Sequence, residues 1–170
     1  MSASNRAAAL VAVLATLIWA GCGGDDPAAP TVDSSALEAA LARDLGMRTR
    51  SLVDNVYCPD GVEARAGRRF DCLATFDGEA GPVIATLIDS SGRRARFRLR
   101  NLLLGKLERA IEARLSRARI GVRAVDCPGP QAQRRGVTFF CRVEDTRGRI
   151  RPVRVEQLDD EGNVRLGPRR

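Results

Sequence analysis

Apolar residues in the first half of the chain recur at the spacing of an amphipathic helix. Ser35 and Glu38 stand at the spacing of a capping box at the start of this stretch, and Gly46 follows it as a favoured helix-ending residue. The pattern predicts a helix whose apolar stripe packs in a core. The stripe consists of Leu37, Ala40, Leu41 and Leu45.

A second and longer apolar stripe begins near the middle of the chain. It predicts a helix from about Leu102 to Ile120, with Asn101 as its N-cap. We expect this stripe also to be core rather than a groove for a partner helix. It consists of Leu104, Leu107, Ile111, Leu115 and Ala118.

Each predicted helix is followed by three runs rich in β-forming residues. Acidic, glycine-ended tetrapeptides at 89–92 and 159–162 are typical of turns between strands. We therefore expect an α+β fold in which each helix packs on a small antiparallel β-meander. The predicted strands cover residues 69–76, 82–88 and 95–99, and then 137–143, 152–158 and 163–166.

The two halves repeat one pattern of residues. The offset between the halves is 70 in the helix stripes, 69 around the cysteines and 70 again after one extra residue. We predict two tandem units, residues 35–100 and 101–170, packed together, with a shared sheet as an open alternative. The repeated patterns are Val56-x-Cys58-Pro59 with Val125-x-Cys127-Pro128, and Gly67-x-x-Phe70-x-Cys72 with Gly136-x-x-Phe139-x-Cys141.

Four of the five cysteines belong to this repeat and allow three pairings. The identical x13 spacing in the two halves favours the disulfides Cys58–Cys72 and Cys127–Cys141. A zinc site is the weaker alternative because neither pair has the C-x₂₋₄-C spacing of zinc ligands. Closing a loop of about 15 residues contributes roughly 3 kcal/mol, which is substantial for so small a unit.

The chain starts with a segment that has the pattern of an export signal. Arg6 precedes an apolar run from Ala7 to Ala20, which is too short for a stable membrane span. Trp19-Ala20-Gly21-Cys22 resembles the lipobox of bacterial lipoproteins, although Trp19 replaces the usual aliphatic residue. The resemblance implies a signal peptide over residues 1–22, a diacylglyceryl thioether on Cys22 and a flexible spacer over 23–34. The alternatives are ordinary secretion after Ala20 or Gly21 and an apolar segment that is not cleaved.

The repeated V-x-C-P and G-x-x-F-x-C motifs, with a downstream D-x-x-G, resemble a domain of unknown function in exported actinobacterial lipoproteins. The resemblance covers residues 37–92 and 107–164, as two tandem copies. It implies a location on the extracytoplasmic face of the cell membrane and one disulfide in each copy. It implies no catalytic or ligand residue.

Composition and charge narrow the possible chemistry. The chain has no histidine, which excludes Ser-His-Asp and Cys-His catalysis and histidine-ligated metal sites. No phosphate-binding or nucleophile motif occurs, so we expect no enzyme activity, no cofactor and no metal. The net charge of +7 favours anionic neighbours, but the export signal makes nucleic acid a poor candidate.

Arginines form the candidate binding residues. Four of them alternate with apolar residues from Arg94 to Arg100, so that a strand would present all four on one face. A solvated strand face is the alternative interpretation. The candidate anion-binding residues are Arg94, Arg96, Arg98, Arg100, Arg149 and Arg151.

Two function hypotheses follow. The first is a non-enzymatic, lipid-anchored protein of the cell envelope whose disulfide-stabilised units bind an anionic component such as a cell-wall polymer. The second is a protein-recognition module or an inhibitor of a secreted enzyme. The β-lactamase inhibitor proteins, also tandem α/β repeats with small-loop disulfides, resemble that architecture at the level of the fold alone.

The lipobox resemblance makes a prediction about the mature protein. Mass spectrometry should find Cys22 as the first residue, with a diacylglyceryl group on its sulfur, because signal removal leaves the modified cysteine at the terminus. A Cys22 with a free thiol would contradict the lipid anchor.

Overall fold

The computed structural model describes residues 29–168, which form two units of the same architecture. Each unit has one helix and a four-stranded antiparallel sheet whose strands lie side by side in chain order. The two sheets are separate, so the alternative of a shared sheet is wrong. Unit one contains α1 (Ser34–Thr49), β1 (Val53–Tyr57), β2 (Arg69–Phe76), β3 (Glu79–Leu87) and β4 (Ala95–Leu99); unit two contains α2 (Leu104–Arg117), β5 (Val122–Asp126), β6 (Thr138–Asp145), β7 (Ile150–Gln157) and β8 (Val164–Pro168).

The helix of each unit supplies apolar side chains to a core shared with its sheet. Leu37, Leu41 and Leu45 of α1 are buried, which confirms the first predicted stripe. In α2 only Leu107 and Ile111 are fully buried. The sheet contributes its alternate residues, since successive side chains of a strand point to opposite faces. In unit one these include Cys72, Ala74, Phe76, Val83, Ala85, Leu87, Phe97 and Leu99.

The start of α1 differs from the predicted capping box. Asp33 is the N-cap, and its Oδ1 accepts the N–H of Ala36 at 3.0 Å and the hydroxyl of Ser35 at 2.9 Å. Glu38 does not reach back to the helix start, because its carboxylate accepts the N–H of Cys58 at 2.8 Å. The long glutamate side chain therefore joins the helix to the disulfide-bearing segment.

The other end of α1 lies beyond the predicted Gly46. The helix continues to Thr49, and Arg50 adopts a left-handed conformation with φ of 53°. The N–H groups of Arg50 and Ser51 both donate to the C=O of Gly46, which satisfies a carbonyl of the last turn. Gly46 therefore lies within the helix, and its C=O accepts the hydrogen bonds that cap the C-terminal end.

The predicted N-cap of α2, Asn101, is wrong. The N-cap position is occupied by Leu103, whose apolar side chain can accept no hydrogen bond. Instead, the carboxylate of Glu79 from unit one accepts the N–H of Leu104 at 2.7 Å and of Gly105 at 3.0 Å. A carboxylate at a helix N-terminus satisfies free N–H groups and complements the helix dipole. Unit one therefore caps the helix of unit two.

The sequence patterns did not predict two of the strands, β1 and β5. Polar residues break the alternation in β1, and its pairing with β2 shifts register between Asp54 and Tyr57, where Asn55 has a φ of 46°. The pairing of β5 with β6 shifts between Val122 and Ala124. Such bulges disturb the period of two on which strand recognition depends.

The predicted spacer ends earlier than expected. Thr31 forms an antiparallel bridge with Glu63, and Val32 is only 7% exposed. In unit two the equivalent bridge joins Asn101 to Ala132. Residues 31–34 therefore belong to unit one, while the part of the spacer before residue 29 lies outside the described residues.

The residues that connect the two units, together with the first turn of α2, pack against unit one. Leu103 belongs to the core of unit one. The Cδ2 atom of Leu103 packs so closely on Gly81 that a Cβ added to this glycine would lie 3.3 Å from it. Lys106, the single lysine of the chain, donates to the C=O of Thr49 and to the hydroxyl of Ser51. The first turn of α2 thus contacts the end of α1 directly.

The predicted strand start at Pro82 is wrong, because Pro82 lies inside β3. Its C=O accepts the N–H of Arg100 at 2.9 Å, so position 82 faces the end of β4. Because the N–H and C=O of a strand residue point to the same neighbour, the N–H that proline lacks would have bonded the C=O of Arg100. That carbonyl instead accepts the N–H of Gln133 at 2.9 Å, which adds a backbone contact between the units.

The β6–β7 hairpin of unit two carries different residues from the β2–β3 hairpin of unit one. At the hairpin where Phe76 pairs with Glu79, unit two has Asp145 beside Arg149. The turn between them has one residue more than in unit one, which accounts for the offset of 70. The next turn is one residue shorter, so β4 and β8 return to an offset of 69.

The carboxylate cap from Glu79 makes a prediction for stability. Replacing an N-cap acceptor by alanine costs about 0.5–2 kcal/mol, so Glu79→Ala should lower the free energy of unfolding by about 1 kcal/mol in urea titrations. Glu63→Ala is the matched control, because the exposed Glu63 side chain forms no hydrogen bond or ion pair with the described residues. Equal losses in the two variants would contradict the cap.

Candidate binding surface

The sheet of unit one has an exposed face opposite α1, which we call the outer face. In β4, Phe97 and Leu99 point into the core, and Arg96 and Arg98, which alternate with them, are exposed on the outer face. The alternation predicted from the sequence is therefore present for these two arginines. They lie roughly 7 Å apart along the strand.

A third arginine on the outer face was missed from the sequence. Thr86 of β3 pairs with Arg69 of β2 on one side and with Arg96 of β4 on the other. Adjacent strands are about 4.8 Å apart, so the backbones of Arg69 and Arg96 are about 10 Å apart and their long side chains can meet one ligand. We call Arg69, Arg96 and Arg98 the arginine face. Strand pairing, which a single sequence does not reveal, brings Arg69 to it.

The arginines at the two ends of β4 are held by carboxylates. Arg94 pairs with Asp89 at 3.4 Å, in the turn before the strand. Arg100 contacts both oxygens of Asp71, at 2.5 and 2.6 Å. These ion pairs neutralise part of the predicted cluster, so the four arginines are not equivalent.

Arg149 and Arg151 lie in unit two and do not join the arginine face. Arg151 pairs with the buried Val143, so it lies on the helix-side face at the end of its sheet. Arg149 is held in the β6–β7 turn by Asp145. The structure therefore separates the six candidate arginines into two places.

The arginine face forms no ion pair in the described part of the chain, and Asp71 on the same sheet face pairs with Arg100. None of the carboxylates there lies within ion-pair distance of Arg69, Arg96 or Arg98. The outer face of unit two differs, because Arg154 pairs with Glu156 at 3.3 Å and Arg123 with Glu144 at 2.9 Å. Unit one thus has the more positive open sheet.

An apolar pair lies beside the arginine face. Tyr57 of β1 and Leu73 of β2 are register partners and are 61% and 49% exposed. Pro82 of β3 extends this row towards Arg100. The outer face therefore combines an exposed aromatic side chain with free guanidinium groups.

The aspartates with perturbed pKa values serve turns and caps. Each has a pKa below its ordinary value because its carboxylate accepts hydrogen bonds. The largest contribution comes from the N–H of Ala36 for Asp33, the N–H of Leu52 for Asp77, the side chain of Ser91 for Asp89 and the side chain of Asn163 for Asp159. The acidic run at 159–161 is accordingly a turn, as predicted from the sequence.

Asp145 is tied to the β6–β7 turn in the same way. Its Oδ1 accepts the N–H groups of Arg147 and Arg149 at 2.9 and 3.0 Å, and its Oδ2 accepts the Nε–H of Arg149 at 2.8 Å. These contacts, led by the backbone N–H of Arg149, lower the pKa of Asp145.

Both predicted disulfides are present, and each is attached to the helix of its unit. Cys58 bonds to Cys72, and Cys127 bonds to Cys141. Glu108 of α2 accepts the N–H of Cys127 at 2.8 Å, as Glu38 does for Cys58. Cys22 and the predicted signal peptide lie outside the described residues.

Among residues 29–168, no group of three or more histidine, cysteine, aspartate or glutamate side chains is placed to hold a metal ion. Neither helix in that range is long and apolar enough to cross a membrane.

Comparison with family models finds two matches along the chain. Residues 13–92 and 95–162 each match the family described as Domain of unknown function (DUF4333). The chain belongs to the DUF4333 family. The two matches make it a tandem of DUF4333 units, which confirms the predicted duplication. No curated protein and no solved structure matches the chain.

The contacts of Asp145 predict a pH dependence. Its folded pKa lies below the unfolded value near 3.8, so the stability it contributes is present above that pH and is lost as the pH falls through the folded pKa. Urea unfolding measured from about pH 6 to about pH 2 should therefore show a smaller acid-induced loss in Asp145→Asn than in the wild type. Asp126→Asn is the control, since the Asp126 side chain bonds to none of the described residues. An unchanged pH profile in Asp145→Asn would refute the assignment.

Proposed function

We propose that this DUF4333 protein is a non-enzymatic, lipid-anchored protein of the bacterial cell envelope, of the type found in actinobacterial lipoproteins. Its tandem units act as a binding module, and the arginine face of unit one binds an anionic envelope polymer. The lipobox resemblance at Cys22 supports the anchor. The observation that carries the binding proposal is the cluster of Arg69, Arg96 and Arg98, exposed on one sheet face without carboxylate partners.

The chemistry of arginine favours a polymer that carries phosphate or carboxylate groups. The planar guanidinium donates two parallel hydrogen bonds to either group, and such charge-assisted bonds are stronger than neutral ones. An open sheet face with Arg69 on β2 and with Arg96 and Arg98 on β4 can contact successive groups along a polymer chain. The exposure of these side chains also means that added salt screens the attraction.

Protein recognition is the second candidate function, and its own observation favours it. Tyr57 and Leu73 are exposed side by side next to the arginine face. Tyrosine and arginine are the residue types that dominate binding energy at protein interfaces. A protein partner would bury this apolar pair together with the arginines, whereas a polyanion needs the arginines alone.

Binding to purified cell-wall fractions at increasing ionic strength tests the polymer proposal. We expect wild-type binding to weaken with salt, and the double variant Arg96→Gln/Arg98→Gln to bind about tenfold less tightly, as the loss of about 1.4 kcal/mol would give. Arg165→Gln is the matched control, because Arg165 is exposed at the equivalent position of β8. This variant should bind like the wild type.

Two outcomes would overturn the polymer proposal. An affinity that does not change with ionic strength, or that is unchanged in the double variant, would show that the arginines only form a solvated strand face. Stoichiometric capture of a protein that is lost with Tyr57→Ala would instead favour the second candidate.

A further inference from the structure

A cleft of about 250 Å³ lies where the two units meet, apart from the arginine face. One side is formed by the end of α1 and by Leu99 of β4, and the other by the first turns of α2 and the β7–β8 turn. The connecting residues Leu102 and Leu103 line it as well. The cleft exists only in the two-unit protein, because neither unit alone supplies all of its walls.

Six of the thirteen residues that line the cleft are aliphatic, and four of these are leucines. The lining contains no aromatic side chain on which a ring could stack. The volume falls just below the range of about 300–1,000 Å³ that is usual for sites of drug-sized ligands. Together these properties suit a single flexible alkyl chain. The aliphatic lining residues are Leu99, Leu102, Leu103, Leu107, Ala110 and Val164.

Two cations also line the cleft. Arg48 is 43% exposed, and its Nη2 donates to Asp44 and to the C=O of Phe97, which leaves its Nε and Nη1 without partners among the described residues. Lys106 uses its ammonium on Thr49 and Ser51, which leaves one of three N–H donors. Glu161, from the unit-two side, is the carboxylate among the lining residues.

We propose that this inter-unit cleft binds a free fatty-acid anion. The alkyl chain lies against the leucine side chains between the units, and the carboxylate accepts hydrogen bonds from Arg48 and Lys106. Burial of each methylene favours binding. Asp44 and Glu161 offset part of the positive charge, so the selection rests on the remaining N–H donors of Arg48 and Lys106, which form charge-assisted hydrogen bonds with a carboxylate and none with a cationic head group. The inference does not rest on the polymer-binding proposal, because it uses none of the same residues.

Titration with dodecanoate below its micelle concentration, followed by NMR chemical shifts of the whole purified protein, tests the site. Saturable shifts should appear at Leu102, Leu107 and Val164. Dodecyl maltoside should bind at least tenfold more weakly, and dodecyltrimethylammonium more weakly still. Tighter binding of the cationic amphiphile, or shifts confined to other residues, would overturn the proposal.

Three variants locate the two parts of the ligand. Ala110→Trp places a large side chain in the cleft from the exposed surface of α2 and should weaken dodecanoate binding at least tenfold. Ala113→Trp is the matched control, since Ala113 is exposed on the same helix but does not line the cleft, and its affinity should stay within about twofold of the wild type. Arg48→Gln should weaken dodecanoate binding but leave dodecyl maltoside binding unchanged.

The remaining outcomes also decide the question. Unchanged dodecanoate affinity in Ala110→Trp would place the alkyl chain elsewhere, for example in the second apolar groove beside Leu115 and Leu166. Equal losses of both amphiphiles in Arg48→Gln would show that the arginine shapes the cleft and does not bind the carboxylate. Binding to anionic phospholipid vesicles without binding of monomeric dodecanoate would identify a bilayer surface as the ligand. Each of these results contradicts the proposal.

Discussion

The attachment of each helix to its own disulfide is the constraint on which the rest of the structure depends. A helix carboxylate, from Glu38 or Glu108, accepts the N–H of the first cysteine, and that cysteine is bonded to an inner strand of the sheet, β2 or β6. So small a unit buries little apolar surface, and the covalent link and the charged hydrogen bond compensate for the small core. With the helix held over one face, the opposite face of the sheet remains open for binding.

The two units have the same fold, but they make different contacts where they meet. Unit one donates Glu79 to the start of α2 and receives Leu103 into its core. At the equivalent end of unit two, Asp145 and Arg149 pair with each other, and Arg151 is exposed. The asymmetry means that Glu79 is used for a contact between the units, whereas Arg149 at the matching position is held within its own turn.

The surfaces proposed for function follow from this division. The arginine face depends on one sheet alone, because strand register in unit one places Arg69 across from Arg96. The aliphatic cleft depends on both units, because its walls come from α1, α2 and the connecting residues. One surface therefore belongs to a single domain, and the other is a property of the duplication.

The sequence by itself determined the duplication, the cysteine pairing, the apolar stripe of α1 and the alternation of Arg96 and Arg98, because all of these are local periodicities or repeated spacings. The predicted stripe of α2 was wrong at Ala118, which is exposed beyond the end of the helix. The sequence did not reveal the cap of α2, which comes from Glu79, 25 residues before the helix and in the other unit. Nor did it show which arginines are free, since the partners of Arg100 and Arg149 are set by strand register and turn geometry. Only the tertiary structure decided these points, because a carboxylate acts on whichever donors the folded chain brings within about 3 Å of it.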